Sequence, residues 1–356
     1  MLAELTARLQ QGETLATDRV RAAVTALTDE SVTAEAKADF LTALAAKGET
    51  AEEIAAFAIE LRARAVPVPV TAATRSGVIL DVVGTGGDRL GLINLSTAAA
   101  LIAAAAGVRV AKHGNRAITS KTGSADVLEA LGLPVDLSPE AAARDLTERG
   151  FVFLFAPRYH PAFKHLMPAR KLCAERGQRT LFNFLGPLLN PAHPNAQLMG
   201  VPRPEMCEPL ARVLQDLGVR RGMVVCGSVG MVGDREAFCD EFSPLGPTTV
   251  AEFHQERGFH QSEFSPALLP LQPTTLDELR GGAAEGNATV LREVLAGRDR
   301  GPRRDAILLN AAAALFVGNH ARSIAEGWDQ AARLIDSGKV VDKLVELGRP
   351  RPGSGV

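Results

Sequence analysis

Residues 81–97 read DVVGTGGDRLGLINLST; with the preceding VIL they describe an apolar strand running into Gly84, Gly86 and Gly87, then a helix opened by Ser96 or Thr97. Glycine lets the backbone turn sharply and approach a ligand closely. A helix start presents unpaired N–H groups and a partial positive charge. A tight strand-to-helix turn accounts for one or two glycines. Three of them with Asp88 and two hydroxyls describe an anion cradle. The spacing is neither the Gly-x-Gly-x-x-Gly dinucleotide fingerprint nor the Gly-x4-Gly-Lys-Ser/Thr loop.

A second apolar run, VRVA, leads directly into KHGNRAITSKTGSADVLEALG, residues 112–132. From Val78 onward such β-branched runs alternate with Ala-rich helical stretches: VILDVV, STAAALIAAAAG, VRVAKHG, GSADVLEALG, SPEAAARDLTERG and FVFLFAP. Strands separated by helices need crossover connections, so the expected architecture is a parallel sheet covered by helices on both faces. Neighbouring strands of such a sheet end at the same edge. Lys112, His113, Asn115, Arg116, Ser120, Lys121 and Ser124 are therefore expected on a loop facing the glycines across the crevice.

Residues 1 to about 66 show apolar positions at three- and four-residue spacing only, the period of helices. Thr50 and Glu53 form a Thr-x-x-Glu capping box after Gly48, so two helices meet at a short corner. The chain is expected to divide into a small all-helical domain, 1–72, and a larger α/β domain with a mostly parallel central sheet covered by helices, 73–159 and 188–350. The segment 160–187, irregular in its periodicity, is expected to leave the sheet and join the helices. The tail RPRPGSGV is low in complexity, and 351–356 are expected to be disordered.

The 356 residues include 46% hydrophobic side chains, enough for a large core, and 39 basic against 41 acidic residues give a net charge of -2. With no charged blocks, a partner such as nucleic acid or an anionic membrane is not expected, and an anionic ligand needs a local site. Cys173, Cys207, Cys226 and Cys239 show no metal-type spacing and no disulfide framework. Without a secretory or membrane-spanning pattern, a cytoplasmic protein is the expectation. Asp240 and Glu241 in CDEFSP, residues 239–244, are adjacent carboxylates that suit Mg2+, which favours carboxylate oxygen and substrate phosphate.

GTGGD (84–88), N-x-ST (94–97), KHGNR (112–116), GSADVLEALG (123–132) and NFLGPLLNP (183–191) together resemble the anthranilate phosphoribosyltransferases of tryptophan biosynthesis. KGETAEEIAAFA, HPAFKHLMPAR, LLNAAAALFVG and DSGK extend the resemblance in order over nearly the whole chain. It implies a homodimer with the fold shared by pyrimidine nucleoside phosphorylases, two Mg2+ ions, and transfer of phosphoribose from phosphoribosyl pyrophosphate to anthranilate. The implied phosphoribosyl pyrophosphate contacts fall on Gly84, Gly87, Asp88, Asn94, Leu95, Ser96, Thr97, Lys112, His113, Gly114, Asn115, Arg116, Ala117, Ile118, Thr119, Ser120 and Ser124. The implied anthranilate contacts fall on Gly84, Asn115, His160, Arg170 and Pro187, and the metal ligands on Ser96, Asp240 and Glu241.

Three departures stand out from the family pattern. Leu92 replaces a hydroxyl residue, the stretch RKLCAERGQR from Arg170 to Arg179 is longer and bears on the reach of Arg170 to the acceptor, and the longer segment GSVGMVGDREAFCDE makes Asp234 and Glu236 rival metal ligands. In the implied reaction Lys112 and backbone N–H groups stabilise the leaving diphosphate, with no residue assigned as general base. The same scaffold with another aromatic acceptor, a pyrimidine nucleoside phosphorylase, and a non-catalytic nucleic-acid-binding relative are the alternatives.

Overall fold

The structure is a computed structural model that describes residues 1–117, 121–255 and 257–350. The expected tail at 351–356 lies outside the described residues. Helices α1 (Leu2–Gln10), α2 (Thr17–Thr28), α3 (Ala34–Lys47) and α4 (Ala51–Arg62) come first. Leu2, Leu5 and Leu9, spaced three and four apart, bury one face of α1. Gly48, at φ +86°, ends α3 where a side chain would be strained. The Thr50–Glu53 capping box then starts α4, with both reciprocal bonds formed. Glu53 is buried, and it also accepts from Leu15 N–H at 2.8 Å and Lys47 Nζ at 2.7 Å, so its charge is compensated.

After α5 (Ala72–Arg75), the central sheet is built from β1 (Ile79–Gly84), β2 (Arg109–Gly114), β3 (Phe151–Phe155), β4 (Ala196–Gly200), β5 (Arg221–Val232), β6 (Arg235–Cys239), β7 (Thr248–His254) and β8 (Gly258–Phe264). Its order is β3-β2-β1-β4-β5-β7-β8, with β6 paired to β5. The pairings from β3 to β5 are parallel; β6, β7 and β8 add antiparallel. Helices α6 (Leu95–Ala105), α7 (Ser124–Ala130), α8 (Pro139–Glu148), α9 (Ala156–Tyr159), α10 (Met167–Glu175), α11 (Cys207–Asp216), α12 (Leu276–Leu279), α13 (Ala284–Leu295), α14 (Pro302–Val317), α15 (Ile324–Asp336) and α16 (Lys339–Gly348) complete the described α-helices.

Helix α6 is apolar on every side because it lies between the sheet and α14; Leu101 and Ile102 are fully buried, each burial stabilising by about 1.5–3 kcal/mol. The Pro- and Val-rich segment AVPVPV, residues 65–70, covers the other side of the sheet, where Val68 and Val70 pack with Ala111, Val152 and Leu154. Segment 160–187 packs on the first helices: Leu166, Ala169 and Cys173 share a core with Phe40, Leu41 and Leu44. Lys37, buried in α3, donates to the carbonyls of Asp29 at 2.6 Å and His165 at 3.0 Å, which ties this segment to the bundle. No described helix is long and apolar enough to cross a membrane.

Candidate active site

Strand β1 delivers the glycine loop to the carboxyl edge of the sheet, beside the end of β2. Gly86 and Gly87 adopt φ of +70° and +90°, so a side chain at either would be strained. Gly84 is needed for a different reason, because a Cβ there would collide with the Asp240 carboxylate. Asp88 turns back on its own loop, accepting from Leu90 N–H at 3.2 Å. Leu92 packs among apolar residues with Leu90, Val229 and Cys239, which is why a hydroxyl at this position is dispensable to the fold.

Two local expectations need correcting. The residue heading α6 is Asn94, with Ser96 and Thr97 already inside the helix. Neither hydroxyl caps it, because Glu241 Oε1 arrives from the β6 side and accepts from Ser96 N–H at 3.1 Å. Lys112 and His113 belong to the C-terminal half of strand β2 rather than to a loop. Strand pairing sets them beside Phe153 and Leu154 of β3, and from there the Lys112 ammonium donates to Val82 carbonyl of β1 at 2.6 Å and to Ser96 Oγ at 3.3 Å.

Asp88, Asp240 and Glu241 therefore crowd around the glycine loop and the start of α6. Burial, then the charge of Asp240, pushes Asp88 up to about 7 and Glu241 up to about 8. Asp240 is also raised, chiefly by burial, although Gly86 N–H donates to its Oδ2 at 2.7 Å. Burial lowers Lys112, with Asp81 and the two acids opposing the shift. One ammonium among three close carboxylates leaves an excess of negative charge, the condition a divalent cation relieves. The donor set, carboxylates with a serine hydroxyl, fits Mg2+. Among the described residues no group of three or more His, Cys, Asp or Glu is placed to hold a metal ion by itself. The rivals are elsewhere: Asp234 is exposed in the turn between β5 and β6, and Glu236 accepts from Ser228 Oγ at 3.0 Å.

The second loop is held by residues that sequence reading did not single out. Asp126 Oδ2 accepts from both Ala117 and Gly123 N–H at 2.9 Å, closing the ends of a segment whose Ile118, Thr119 and Ser120 lie outside the described residues. Arg116 is committed to Asp126 and Glu129, so its charge is neutralised on α7. Ser124 Oγ donates to Asn115 carbonyl at 3.3 Å, while Arg116 N–H occupies Asn115 Oδ1 at 2.8 Å, leaving the Asn115 amide NH2. Lys121 is exposed. Gly114 cannot carry a side chain, since Phe153 and Ser124 fill that space.

Buried Asp81, in the middle of β1, also went unassigned. It accepts from His113 N–H at 3.3 Å and from Asn190 Nδ2 at 2.9 Å, and Asn190 donates again to Ala111 carbonyl at 2.7 Å. Burial raises Asp81 to about 6. A carboxyl inside an apolar strand, and the Asn of NFLGPLLNP, were the visible signals. Together they pin the end of β2, and with it Lys112 and His113, to β1.

From His113 a line of rings leads away from the cradle. His113 meets His160 at 5.1 Å between centroids, His160 meets Phe163 at 5.2 Å, and Phe163 meets Phe182 at 5.9 Å. The Arg170 guanidinium ends the line, 5.7 Å over Phe182. Both histidines are buried, with Nε2 lacking a hydrogen-bond partner. Burial lowers them to about 3 for His113 and about 4 for His160, so both rings are neutral. Pro187 is buried close by, its carbonyl accepting from Gln197 Nε2 at 2.8 Å. Arg170, half-buried, makes no ion pair among the described residues. An uncommitted guanidinium beside aromatic rings suits a small aromatic carboxylate.

A family model described as "Glycosyl transferase family, a/b domain" matches residues 76–341, and one described as "Glycosyl transferase family, helical bundle domain" matches 3–65. Anthranilate phosphoribosyltransferase of Petrotoga mobilis is 44% identical over 340 residues, 96% of this chain and 94% of its own. The crystal structure of the Thermus thermophilus enzyme of that name matches with a TM-score of 0.84 at 40% identity, covering 97% of this chain and 98% of that one. The Saccharomyces cerevisiae enzyme, in complex with phosphoribosyl pyrophosphate and Mg, matches with a TM-score of 0.85 at 28% identity, covering 97% and 96%.

Proposed function

We infer, because the chain belongs to the anthranilate phosphoribosyltransferase family, that its glycine loop and the ring-lined cleft beside it hold the two substrates of that reaction. The enzyme transfers the phosphoribosyl group of phosphoribosyl pyrophosphate to the amine of anthranilate, giving N-(5-phosphoribosyl)anthranilate and diphosphate in tryptophan biosynthesis. The observation that carries the assignment of the site is the convergence of Lys112 Nζ, Ser96, and the carboxylates of Asp240 and Glu241 on one glycine loop.

The diphosphate rests on the amides of Gly84 to Asp88 and the start of α6, with Asn94, Ser96, Thr97 and Lys112 against its oxygens. Asn115 lies between the substrates. Arg170 takes the anthranilate carboxylate as a two-pronged donor, with His113, His160 and Pro187 lining the path. Ser96, Asp240 and Glu241 would hold Mg2+, two ions in this reading, which would neutralise charge developing on the leaving diphosphate. The anomeric carbon loses its bond to diphosphate oxygen, which keeps the electron pair, and gains a bond to the anthranilate nitrogen. Backbone N–H donors of the loop and Lys112 stabilise that oxygen as it takes up the charge. Positioning of the amine supplies most of the remaining gain, and the neutral histidines exclude water from the reacting carbon. The amine proton leaves after the C–N bond forms, to the diphosphate or the substrate's own carboxylate.

We place the enzyme in the cytoplasm as a homodimer, the latter checked by sedimentation equilibrium. The activity test follows anthranilate fluorescence with phosphoribosyl pyrophosphate and Mg2+ each present or omitted. Consumption only when both are present is expected. Phosphate-dependent release of thymine from thymidine, with no consumption of anthranilate, overturns the reading.

A further inference from the structure

Asn94 heads α6, a position at which an asparagine ordinarily turns its oxygen onto the free N–H groups of the first helical turn. Here it forms no such cap bond, and Ser96 N–H is taken by Glu241. The Asn94 Oδ1 accepts instead from Asn287 Nδ2, 3.0 Å away on α13. Asn287 is buried and is itself oriented, because its Oδ1 accepts from Gly282 N–H at 2.7 Å. A backbone N–H only donates, so the Asn287 amide has one allowed orientation, and through it so does Asn94. The sole group Asn94 has left to present elsewhere is its NH2, a pure donor.

The support is rigid. Gly281 N–H donates to Gly91 carbonyl at 2.7 Å and Ile93 N–H to Leu279 carbonyl at 3.0 Å, stitching 279–281 to the glycine-loop side. Thr122 Oγ1 donates to Gly282 carbonyl at 2.7 Å, adding the second loop. Gly281 has to be glycine, since a Cβ there would lie 2.7 Å from Asn287 Oδ1 and 3.0 Å from Leu92 carbonyl. With Asp88, Asp240 and Glu241 already at this edge, an asparagine oxygen facing the substrate would add to the negative field, whereas an NH2 opposes it.

We propose that Asn287 is a positioning residue that sets the amide polarity of Asn94, so that Asn94 offers donors and not its oxygen to the anionic phosphoribosyl substrate. The proposal rests on the assignment of Asn94 to that substrate. Asn287→Asp keeps the shape and still accepts from Gly282 N–H, but it cannot donate to Asn94, whose amide then turns over. Isothermal titration with phosphoribosyl pyrophosphate and Mg2+ is expected to show affinity weakened about tenfold to a hundredfold, the worth of a hydrogen bond to a charged group. The KM for anthranilate and the melting temperature should stay nearly unchanged. In an Asn94→Ala background the same replacement should add less than about twofold, because the coupling has been removed. The same factor in both backgrounds, or no effect in the parent enzyme, overturns the proposal. If Asn94→Ala alone leaves the affinity intact, the assignment of Asn94 to this substrate is what fails. Should Asn287→Asp not fold, Asn287→Ser, too short to reach Asn94, carries the cycle with the same expectations.

Discussion

Gly84 and Asp240 share one space: a Cβ on residue 84 would collide with the Asp240 carboxylate, whose Oδ2 also accepts from Gly86 N–H at 2.7 Å. The loop and the acid are thus shaped to each other before any ligand enters. Gly84→Ala should push Asp240 off the loop. Overpacking of this kind costs about 1–3 kcal/mol, so a lower melting temperature is expected. The Mg2+ concentration for half-maximal rate should rise as well, about tenfold or more, the cost of roughly one disturbed charged contact. An unchanged Mg2+ requirement in the variant would mean that Asp240 is not a metal ligand.

The placement of the acids separates two pairs of variants. Asp240→Asn should weaken Mg2+ activation, whereas Asp234→Asn, in an exposed turn, should leave it alone. Titrating initial rates with Mg2+ checks both. A larger effect from Asp234→Asn would move the metal site onto the hairpin.

Arg170, without an acidic partner among the described residues, should act on one substrate only. Arg170→Ala is expected to raise the KM for anthranilate about tenfold to a hundredfold, since a bidentate guanidinium–carboxylate pair is lost, with little change for phosphoribosyl pyrophosphate. Arg170→Lys should recover only part, because a point charge cannot reproduce the planar fork. Equal effects on both KM values would remove the clamp role.

The buried histidines make a stability prediction with a definite sign. His160 titrates near 4 in the folded protein and near ~6.5 when unfolded, so between those values the unfolded state binds more protons. Its stabilising neutrality is full above ~6.5 and is lost as the pH falls toward 4. Between pH 7 and pH 5 the parent protein should lose about 2 kcal/mol more than His160→Gln, as read by urea unfolding. His113, lowered further, should behave alike. Parallel pH dependence of parent and variant would show that the ring is solvated.

The parts of the site that are local in sequence were readable there. The glycine run, Lys112 through Arg116, and the paired acids each stood out by residue type, and the alternation of strands and helices placed the first two at one sheet edge. The Thr50 capping box was equally visible, because its partners are three residues apart. What escaped depends on distant partners. Asp81 bonds Asn190 across 109 residues, Ser96 meets Glu241 across 145, and Asn287 meets Asn94 across 193. The start of α6 was misjudged for that reason, since a local rule favours a hydroxyl cap and a remote carboxylate overrides it. Only the sheet register of the β5–β6 hairpin shows that it carries Asp234 away and returns Asp240 to the loop.

Two amides of the cradle, those of Gly86 and Ser96, are engaged by the protein's own acids. A bare anion such as sulfate has to compete with resident carboxylates for those donors while facing their repulsion. An anion escorted by a divalent ion draws the same carboxylates toward the metal and thereby uncovers the amides. The chain thus carries a built-in competitor that screens its visitors by their escort, and simple salts should inhibit far less than metal-chelated diphosphate does.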